Sequence, residues 1–164
     1  RGEGGKDVQR VETRRDLEYW MPRLPDHVFQ EWVAGTEFSI DWFATRDGVP
    51  RVVSPRERLE VRGGEVMKSR IRQDPQVIAA VTRVGKDLRL AGPATVQGIL
   101  DKNHRFWLTD VNLRFGSGYV HTLAAGADVP LLIHRELSGG SIADVPLTAR
   151  DGSVMVRYPE HLLL

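Results

Sequence analysis

Cysteine is absent from the 164 residues of this sequence. Its absence excludes disulfide bonds, thiolate metal sites and catalysis by a cysteine nucleophile, and it is compatible with a reducing cytoplasm. An excess of one charge is also lacking, because 23 lysine and arginine residues stand against 22 aspartate and glutamate residues. Because the positive and negative charges nearly cancel, the protein has no overall electrostatic field that would attract a nucleic acid or an anionic membrane. We therefore expect neither as a partner.

Long hydrophobic runs are missing as well. No apolar segment approaches the ~20 residues that a membrane-spanning helix needs, and the charged, glycine-rich N-terminus is unlike a signal peptide. We therefore expect a soluble protein of the cytoplasm. A chain of 164 residues can bury a core of its own, as one domain or two small lobes.

Alternation of β-branched or aromatic residues with polar ones predicts several strands. They are HVFQEWVAG, TEFSIDWFATRDG with a hairpin turn at Asp47-Gly48, PRVVSPRERLEV, GPATVQGILD, RFWLTDVNLR and a strand within SVMVRYPEHLLL. Helices are predicted after the caps Thr13 and Asp74, and two short ones in YVHTLAAGADVPLLIHRELSGG. The helix after Asp74 has Pro75 at its first position and an apolar stripe of Val77, Ile78, Val81, Val84 and Leu88.

The segment RFWLTDVNLRF is the most indicative of function, because Asp110, Asn112 and Arg114 occupy every other position. On a strand such side chains share one face. Two oxygen ligands beside a cation suit a Mg²⁺-phosphate group, since Mg²⁺ prefers oxygen donors and the arginine fork matches phosphate. The alternative is a solvated strand face. The residues left to pack are Leu108, Val111 and Leu113.

Two glycine-rich segments extend this interpretation. Gly116 and Gly118 follow the polar strand at once and would let the backbone approach a ligand closely. In RGEGGKDV, backbone amides around Gly4 and Gly5 could cradle phosphates, with Lys6 adding charge. A surface hairpin with glycines for turning is the alternative for the second segment.

In order and spacing, the glycine loop, QEWVAGTEFSID, RLEVRGGEV, the helix, TVQGILD and LTDVNLRFGSG together resemble the ATP-grasp superfamily, and within it the carbamoyl phosphate synthetase large-subunit-like branch. The resemblance covers nearly the whole chain. It implies an α+β fold with a mainly antiparallel sheet and flanking helices, lacking the N-terminal part of the family's domain. Residues 1–33 would be the remainder of the small lobe, and residues 34–164 the C-terminal lobe with the metal and phosphate site.

The resemblance also implies roles for individual residues. Gly4, Gly5 and Lys6 would cover the triphosphate of ATP. The adenine edge would be met by Glu31, Trp32 and Val33, and the ribose hydroxyls by Glu37. Gln97, Asp110 and Asn112 fall on the family's ligands for Mg²⁺ (or Mn²⁺), and Arg114 falls on its phosphate-contacting arginine. Two departures are an aspartate at position 110, where the family more often has glutamate, and Leu113 in place of a frequent proline.

By the same resemblance, the segment RLEVRGGEVMKSR would be a basic loop near the acceptor substrate. Arg58, Arg62, Lys68 and Arg70 are its candidates for a carboxylate or acyl phosphate, with a solvated basic loop as the alternative. None of the five histidines is given a role. The aromatic residues expected in the core are Trp32, Trp42, Phe43, Phe106 and Trp107, although Trp32 could instead border the purine.

These implications lead to an ADP-forming carboxylate-amine ligase, in which ATP phosphorylates a carboxylate and an amine then displaces phosphate. Family members carry an upstream stretch, with a lysine on the α-phosphate, that these residues do not include. We therefore expect an incomplete site that needs the upstream lobe or a partner chain, weak ATP binding and no ligation by these residues alone. The alternative is a non-catalytic nucleotide-binding or assembly module. The identity of the substrates and any homo-oligomer stay open.

Overall fold

The computed structural model describes residues 8–158. Within them lie six strands, β1 (Gly35–Ala44), β2 (Pro50–Arg62), β3 (Glu65–Ile71), β4 (Gly92–Asp101), β5 (Phe106–Asn112) and β6 (Val154–Val156). The helices there are α1 (Arg14–Trp20), α2 (Pro75–Asp87), α3 (Tyr119–Ala124) and α4 (Val129–Leu137). All strands pair antiparallel in one sheet of order β5-β4-β1-β2-β3-β6, which confirms the predicted fold class.

One face of the sheet packs against α2. The Asp74 carboxylate caps this helix, accepting hydrogen bonds from the backbone N–H groups of the second and third helical residues. The buried side chains of α2 then meet those of β1 and β4 in a single core cluster, which includes Val77, Val81, Phe38, Ile40, Trp42 and Val96. The predicted apolar stripe is confirmed in part: Val77 and Val81 are buried, Ile78 and Val84 are half-buried, and Leu88 caps the helix and is exposed.

The opposite face is divided between a second core and a polar region. Helices α3 and α4 cover Phe43, Val52 and Ile71 with a cluster that includes Tyr119, Val129 and Leu132. Beyond those apolar residues the strands carry polar side chains on this face, which we call the polar face. It is defined by Glu37, Ser39, Asp41, Ser54, Arg56, Arg58, Thr95, Gln97, Asp110 and Asn112. In residues 8–158 no helix is long and apolar enough to cross a membrane.

Three local expectations are wrong. The segment HVFQEWVAG forms no strand before Gly35, because no strand in the part of the chain that the structure describes pairs with it. The Trp32 side chain, expected in the core, is 62% exposed there. The segment RLEVRGGEVMKSR is the β2–β3 hairpin, whose turn has positive φ angles at Gly63 and Gly64, rather than a loop.

The burial of the other residues that were expected to pack depends on their position in the sheet. Trp42 and Phe43 are fully buried, as expected. Phe106 and Val111, on the edge strand β5, are half-buried against the α2 core. Leu108, on the edge strand β5, and Leu113, just after that strand, were expected to pack, but both are exposed and neither belongs to a core cluster.

Candidate functional site

The strand register brings the predicted metal ligands together. Gln97 on β4 lies directly opposite Asp110 on β5, and Thr95 lies opposite Asn112. Residues that are paired across antiparallel strands point to the same face, at a Cβ separation of about 5 Å. The three candidates Gln97, Asp110 and Asn112 are therefore neighbours on the polar face.

A β-bulge in β5 creates this alignment. Gly98 pairs with Leu108 while Gln97 pairs with Asp110, so Thr109 is the extra residue. If Thr109 instead paired regularly with Gln97, Asp110 would lie opposite Val96 and point into the α2 core, because a shift of one residue exchanges the two faces of a strand. The bulge is thus what places the carboxylate on the polar face.

The side chains of Asp110, Asn112 and Arg114, at alternate positions in and just after β5, form a chain of hydrogen bonds. Asn112 Nδ2 donates to Asp110 Oδ2 at 2.5 Å, and Arg114 Nη2 donates to Asn112 Oδ1 at 3.3 Å. Asp110 and Arg114 are exposed, and Asn112 and Gln97 are half-buried. The group is therefore open to a ligand from solvent.

The β4–β5 turn is organised around one carboxylate. Asp101 Oδ2 accepts from Trp107 Nε1 at 2.9 Å and from Arg105 Nε at 3.0 Å. Asp101 Oδ1 accepts from the backbone N–H groups of Asn103 and Arg105 at 2.8 and 2.9 Å. These hydrogen bonds, the one from Trp107 above all, hold the pKa of Asp101 well below its ordinary value of 3.8.

Replacing Asp101 with asparagine is expected to lower the free energy of unfolding at neutral pH and to make it less sensitive to acid. A carboxylate whose pKa is depressed in the folded state stabilises above its unfolded pKa, here 3.8, and that contribution is lost as the pH falls through the folded-state pKa. Urea denaturation of both proteins from about pH 7 to about pH 2 measures the effect. Asp87→Asn, on the exposed surface of α2, is the matched control. A difference between parent and variant that is independent of pH would contradict the account.

The candidate ribose ligand lies on the same face as the candidate metal ligands. Glu37 on β1 is two positions from Ser39, which pairs with Gln97. Its side chain is 57% exposed, and Arg58 Nε lies 3.4 Å from its Oε2 atom. Arg58 Nη2 also donates to the Gly64 carbonyl at 3.3 Å, whereas Arg58 Nε is buried without a hydrogen-bond partner among the described residues.

The other basic candidates of the β2–β3 hairpin occupy different environments. Arg62 pairs with Glu60 at 2.7 Å and Arg70 pairs with Glu57 at 2.8 Å, both near solvent. Lys68 is exposed on β3. Of the four, Arg58 alone lies on the polar face in contact with another candidate site residue.

The candidates for the purine and the triphosphate are less fixed by the fold. Glu31 and Trp32 are exposed and Val33 is half-buried, all in irregular structure rather than on the expected hinge strand. The Arg10 guanidinium lies 4.6 Å from the centre of the Trp32 ring. Gly4, Gly5 and Lys6 lie outside the described residues.

Sequence reasoning missed a buried ion pair under the site. Arg56 Nε donates to Asp41 Oδ2 at 2.7 Å, and Arg56 Nη2 donates to Asp41 Oδ1 at 3.0 Å. The two side chains are 2% and 4% exposed. Thr122 Oγ1 on α3 donates to Asp41 Oδ2 at 2.6 Å. The sequence did contain one signal of this pair. Counting outward from the Asp47-Gly48 turn places Ser39 opposite Arg56, as the structure does, and Asp41 is two positions from Ser39 on the same face of β1.

The neighbouring histidine has a structural environment. His121 Nδ1 lies 2.8 Å from Ser69 Oγ, and His121 Nε2 lies 3.1 Å from Ser153 Oγ. Burial, together with the nearby Arg56 charge, lowers the pKa of His121 below its ordinary value. The ring thus ties α3 to β3 and to the segment before β6, away from the exposed candidates.

Comparison with known proteins bears on the fold and the family. Residues 23–160 match a family model described as ATP-grasp in the biosynthetic pathway with Ter operon. No curated protein matches.

Three solved structures show the shared fold. N5-carboxyaminoimidazole synthetase from Staphylococcus aureus, complexed with ADP, is 15% identical with a TM-score of 0.72, over 96% of this chain and 44% of that one. Biotin carboxylase from Campylobacter jejuni, in a beta-gamma-ATP complex, is 16% identical with a TM-score of 0.69, over 87% of this chain and 36% of that one. An L-amino acid ligase from Bacillus licheniformis is 22% identical with a TM-score of 0.61, over 84% of this chain and 39% of that one.

The chain therefore spans less than half the length of each of these three proteins. None of the three is a carbamoyl phosphate synthetase, so that branch within the superfamily stays a prediction.

Proposed function

Because this chain belongs to the ATP-grasp family that it matches over residues 23–160, we propose that its polar face is one wall of the ATP site of an ADP-forming carboxylate-amine ligase. The observation that carries the proposal is the placement of Gln97 opposite Asp110, with Asn112 and Arg114 beside them on one exposed face. An amide, a carboxylate and a guanidinium in that arrangement suit a metal-bound phosphate chain.

The donor set fits Mg²⁺ or Mn²⁺ when ATP is present. In residues 8–158 no three His, Asp or Glu side chains form a metal-binding group. Of the three candidate ligands Asp110 supplies a carboxylate, and Gln97 and Asn112 supply amide oxygens to complete the protein ligands. Such a set suits Mg²⁺, which takes few protein ligands and obtains the others from phosphates and water. Once bound, the ion would neutralise the charge that develops on the phosphate oxygens.

Arg114 would contact the γ-phosphate. In the proposed reaction a carboxylate oxygen of the substrate attacks the γ-phosphorus, and the bond to the β-phosphate oxygen breaks to release ADP. The amine then attacks the acyl phosphate and releases inorganic phosphate. Phosphoryl transfer of this kind depends on positioning and on charge stabilisation, so no side-chain nucleophile is required.

The other proposed contacts follow the same face. Glu37 would accept hydrogen bonds from the ribose hydroxyls, and Arg58 beneath it would hold that carboxylate or the substrate carboxylate. Glu31, Trp32 and Val33 would border the adenine, and Gly4, Gly5 and Lys6 would cover the phosphates. The division at residue 33 into a small lobe and a C-terminal lobe belongs to the same proposal.

The Glu37 assignment predicts discrimination between nucleotides. A carboxylate that accepts ribose hydroxyl hydrogen bonds is expected to make ATP bind about tenfold or more tightly than 2′-deoxy-ATP. Glu37→Gln is expected to reduce that ratio, while Glu60→Gln, on the neighbouring β2 strand, should leave it unchanged. Calorimetric titration of both nucleotides into the three proteins measures the ratio. An equal ratio in parent and Glu37→Gln would remove Glu37 from the ribose site.

The activity itself is tested by release of ADP. The full-length gene product, incubated with MgATP, is screened against pairs of carboxylates and amines, beginning with amino acids. ADP formation that requires both substrates supports a ligase. Nucleotide binding without turnover on any pair would instead favour a non-catalytic nucleotide-binding module.

A further inference from the structure

The turn that follows β5 rests on a buried arginine. Gly118 is the residue just before α3, and its backbone lies so close to Arg56 that a Cβ atom added to it would come 2.3 Å from Nη1. A Cβ atom on Gly116 would come 2.9 Å from Thr95 Oγ1 and 3.6 Å from Arg56 Nη2. These glycines were expected to let the backbone approach a ligand; here they let it approach Arg56 and Thr95.

The start of the same turn is held from β4. Thr95 Oγ1 donates to the Arg114 carbonyl at 3.1 Å, and Thr95 is buried. Arg114 thus begins a short segment that ends at Gly118. The carbonyl of Arg114 is hydrogen-bonded to β4, and Gly118 contacts the Arg56 guanidinium.

The guanidinium itself cannot turn freely. Asp41 binds it through two hydrogen bonds, and a bidentate pair fixes the plane of the arginine fork. Thr122 on α3 fixes Asp41 in turn, and Ser54 Oγ lies 3.1 Å from the Thr122 hydroxyl. The Arg56 guanidinium is therefore held in a fixed position against the turn that contains Gly116 and Gly118.

From this geometry we infer that Arg56 is a positioning residue of the ATP site. It sets the place of the turn from Phe115 to Gly118, and through that turn the place of the Arg114 side chain. The inference rests on the proposed function, since Arg114 is assigned there to the γ-phosphate. It adds a residue that touches no substrate and acts through the turn that it supports.

Gly118→Ala is the most direct test, because it leaves the buried ion pair chemically intact. The φ and ψ angles of Gly118 are −93° and 5°, which alanine adopts, so the substitution acts through its contact with Arg56. Gly140→Ala is the matched control, because its added Cβ would find its nearest neighbour at an ordinary 3.5 Å.

The readout compares two nucleotides in the full-length protein. Affinities are measured by calorimetry for MgADP and for a non-hydrolysable MgATP analogue, and folding is checked by thermal denaturation. Displacement of Arg114 is expected to weaken binding of the analogue by about tenfold or more, while the affinity for ADP changes less than about twofold. Gly140→Ala should change neither affinity.

A second variant tests whether the effect passes through Arg56. Lysine at position 56 keeps the charge but lacks the Nη1 atom that the new Cβ would meet. In the double variant Gly118→Ala/Arg56→Lys, we therefore expect a smaller loss of analogue affinity than the two single losses combined, as for residues in contact.

The outcomes separate the inference from the proposed function. If the parent binds neither nucleotide, the proposed function fails. If the parent binds both and Gly118→Ala behaves like Gly140→Ala, the inference fails and the proposed function stands. An equal loss of ADP and analogue in a folded Gly118→Ala protein, or strictly additive losses in the double variant, would show a structural role only and would overturn the inference.

Discussion

Replacement of Arg56 with methionine is expected to lower the free energy of unfolding by about 3–5 kcal/mol. The Asp41 carboxylate would be left buried without the cation that holds it, since Thr122 provides only one hydrogen bond. Chemical denaturation at neutral pH measures the difference. A methionine of similar volume creates little cavity, so the unpaired charge accounts for most of the loss.

Two controls distinguish this effect from a general cost of losing an arginine. Arg70→Met removes an ion pair near solvent with Glu57 and is expected to cost about 0–1 kcal/mol. The double variant Asp41→Leu/Arg56→Met removes both buried charges and should recover most of the stability that the single variant loses. A single Arg56→Met variant as stable as Arg70→Met would contradict the burial of the pair.

The largest expected effect on activity is at Arg114. Arg114→Met should reduce the rate of ATP-dependent ADP formation by about 10²–10³-fold, the effect typical of removing one donor to developing charge in a transition state. Affinity for MgADP should change little, because the proposed contact is to the γ-phosphate. Steady-state assays with the substrate pair that the ADP screen identifies give both quantities.

Arg83→Met is the matched control for that experiment. Arg83 is exposed on α2, the helix that packs against the opposite face of the sheet from Arg114. Its loss should leave both the rate and the affinity unchanged. A rate for Arg114→Met within about twofold of the parent would exclude a contact in the transition state.

The sequence predicted those elements whose signals are local. Asp74 followed by Pro75 marks the start of α2 in both the sequence and the structure. Asp47-Gly48 marks the β1–β2 turn, and the two predicted short helices form as α3 and α4, separated by a segment in which Gly126 has a positive φ angle. Each of these signals acts through hydrogen bonds or φ angles of a few adjacent residues, so no tertiary information is needed.

What the sequence could not predict depends on partners distant in the chain. A run that alternates like a strand, such as residues 27–34, forms one only beside another strand, and none is available to it in the described part of the protein. The bulge at Thr109 cannot be predicted from alternation either, because Asp110 and Asn112 keep their spacing whichever face they occupy.

The buried ion pair was missed for a related reason. Polar residues in EFSIDWF and SPRER alternate as they would on a solvated strand. Only the packing of α3 and of the glycine turn over this part of the polar face buries Asp41 and Arg56. The same arrangement leaves Asp110 and Arg114 exposed to solvent. The buried ion pair and the exposed candidate ligands are therefore separate groups of residues on one face.

We propose that Gln97, Asp110 and Asn112 bind a divalent cation together with ATP. Mn²⁺ provides the direct measurement, because electron paramagnetic resonance distinguishes free from bound ion. In a titration with Mn²⁺, the full-length protein together with ADP is predicted to bind the ion more tightly than ADP alone does. Asp110→Asn is predicted to abolish that gain, and Asp87→Asn on α2 to keep it. Equal Mn²⁺ binding by the parent and Asp110→Asn would contradict the claim.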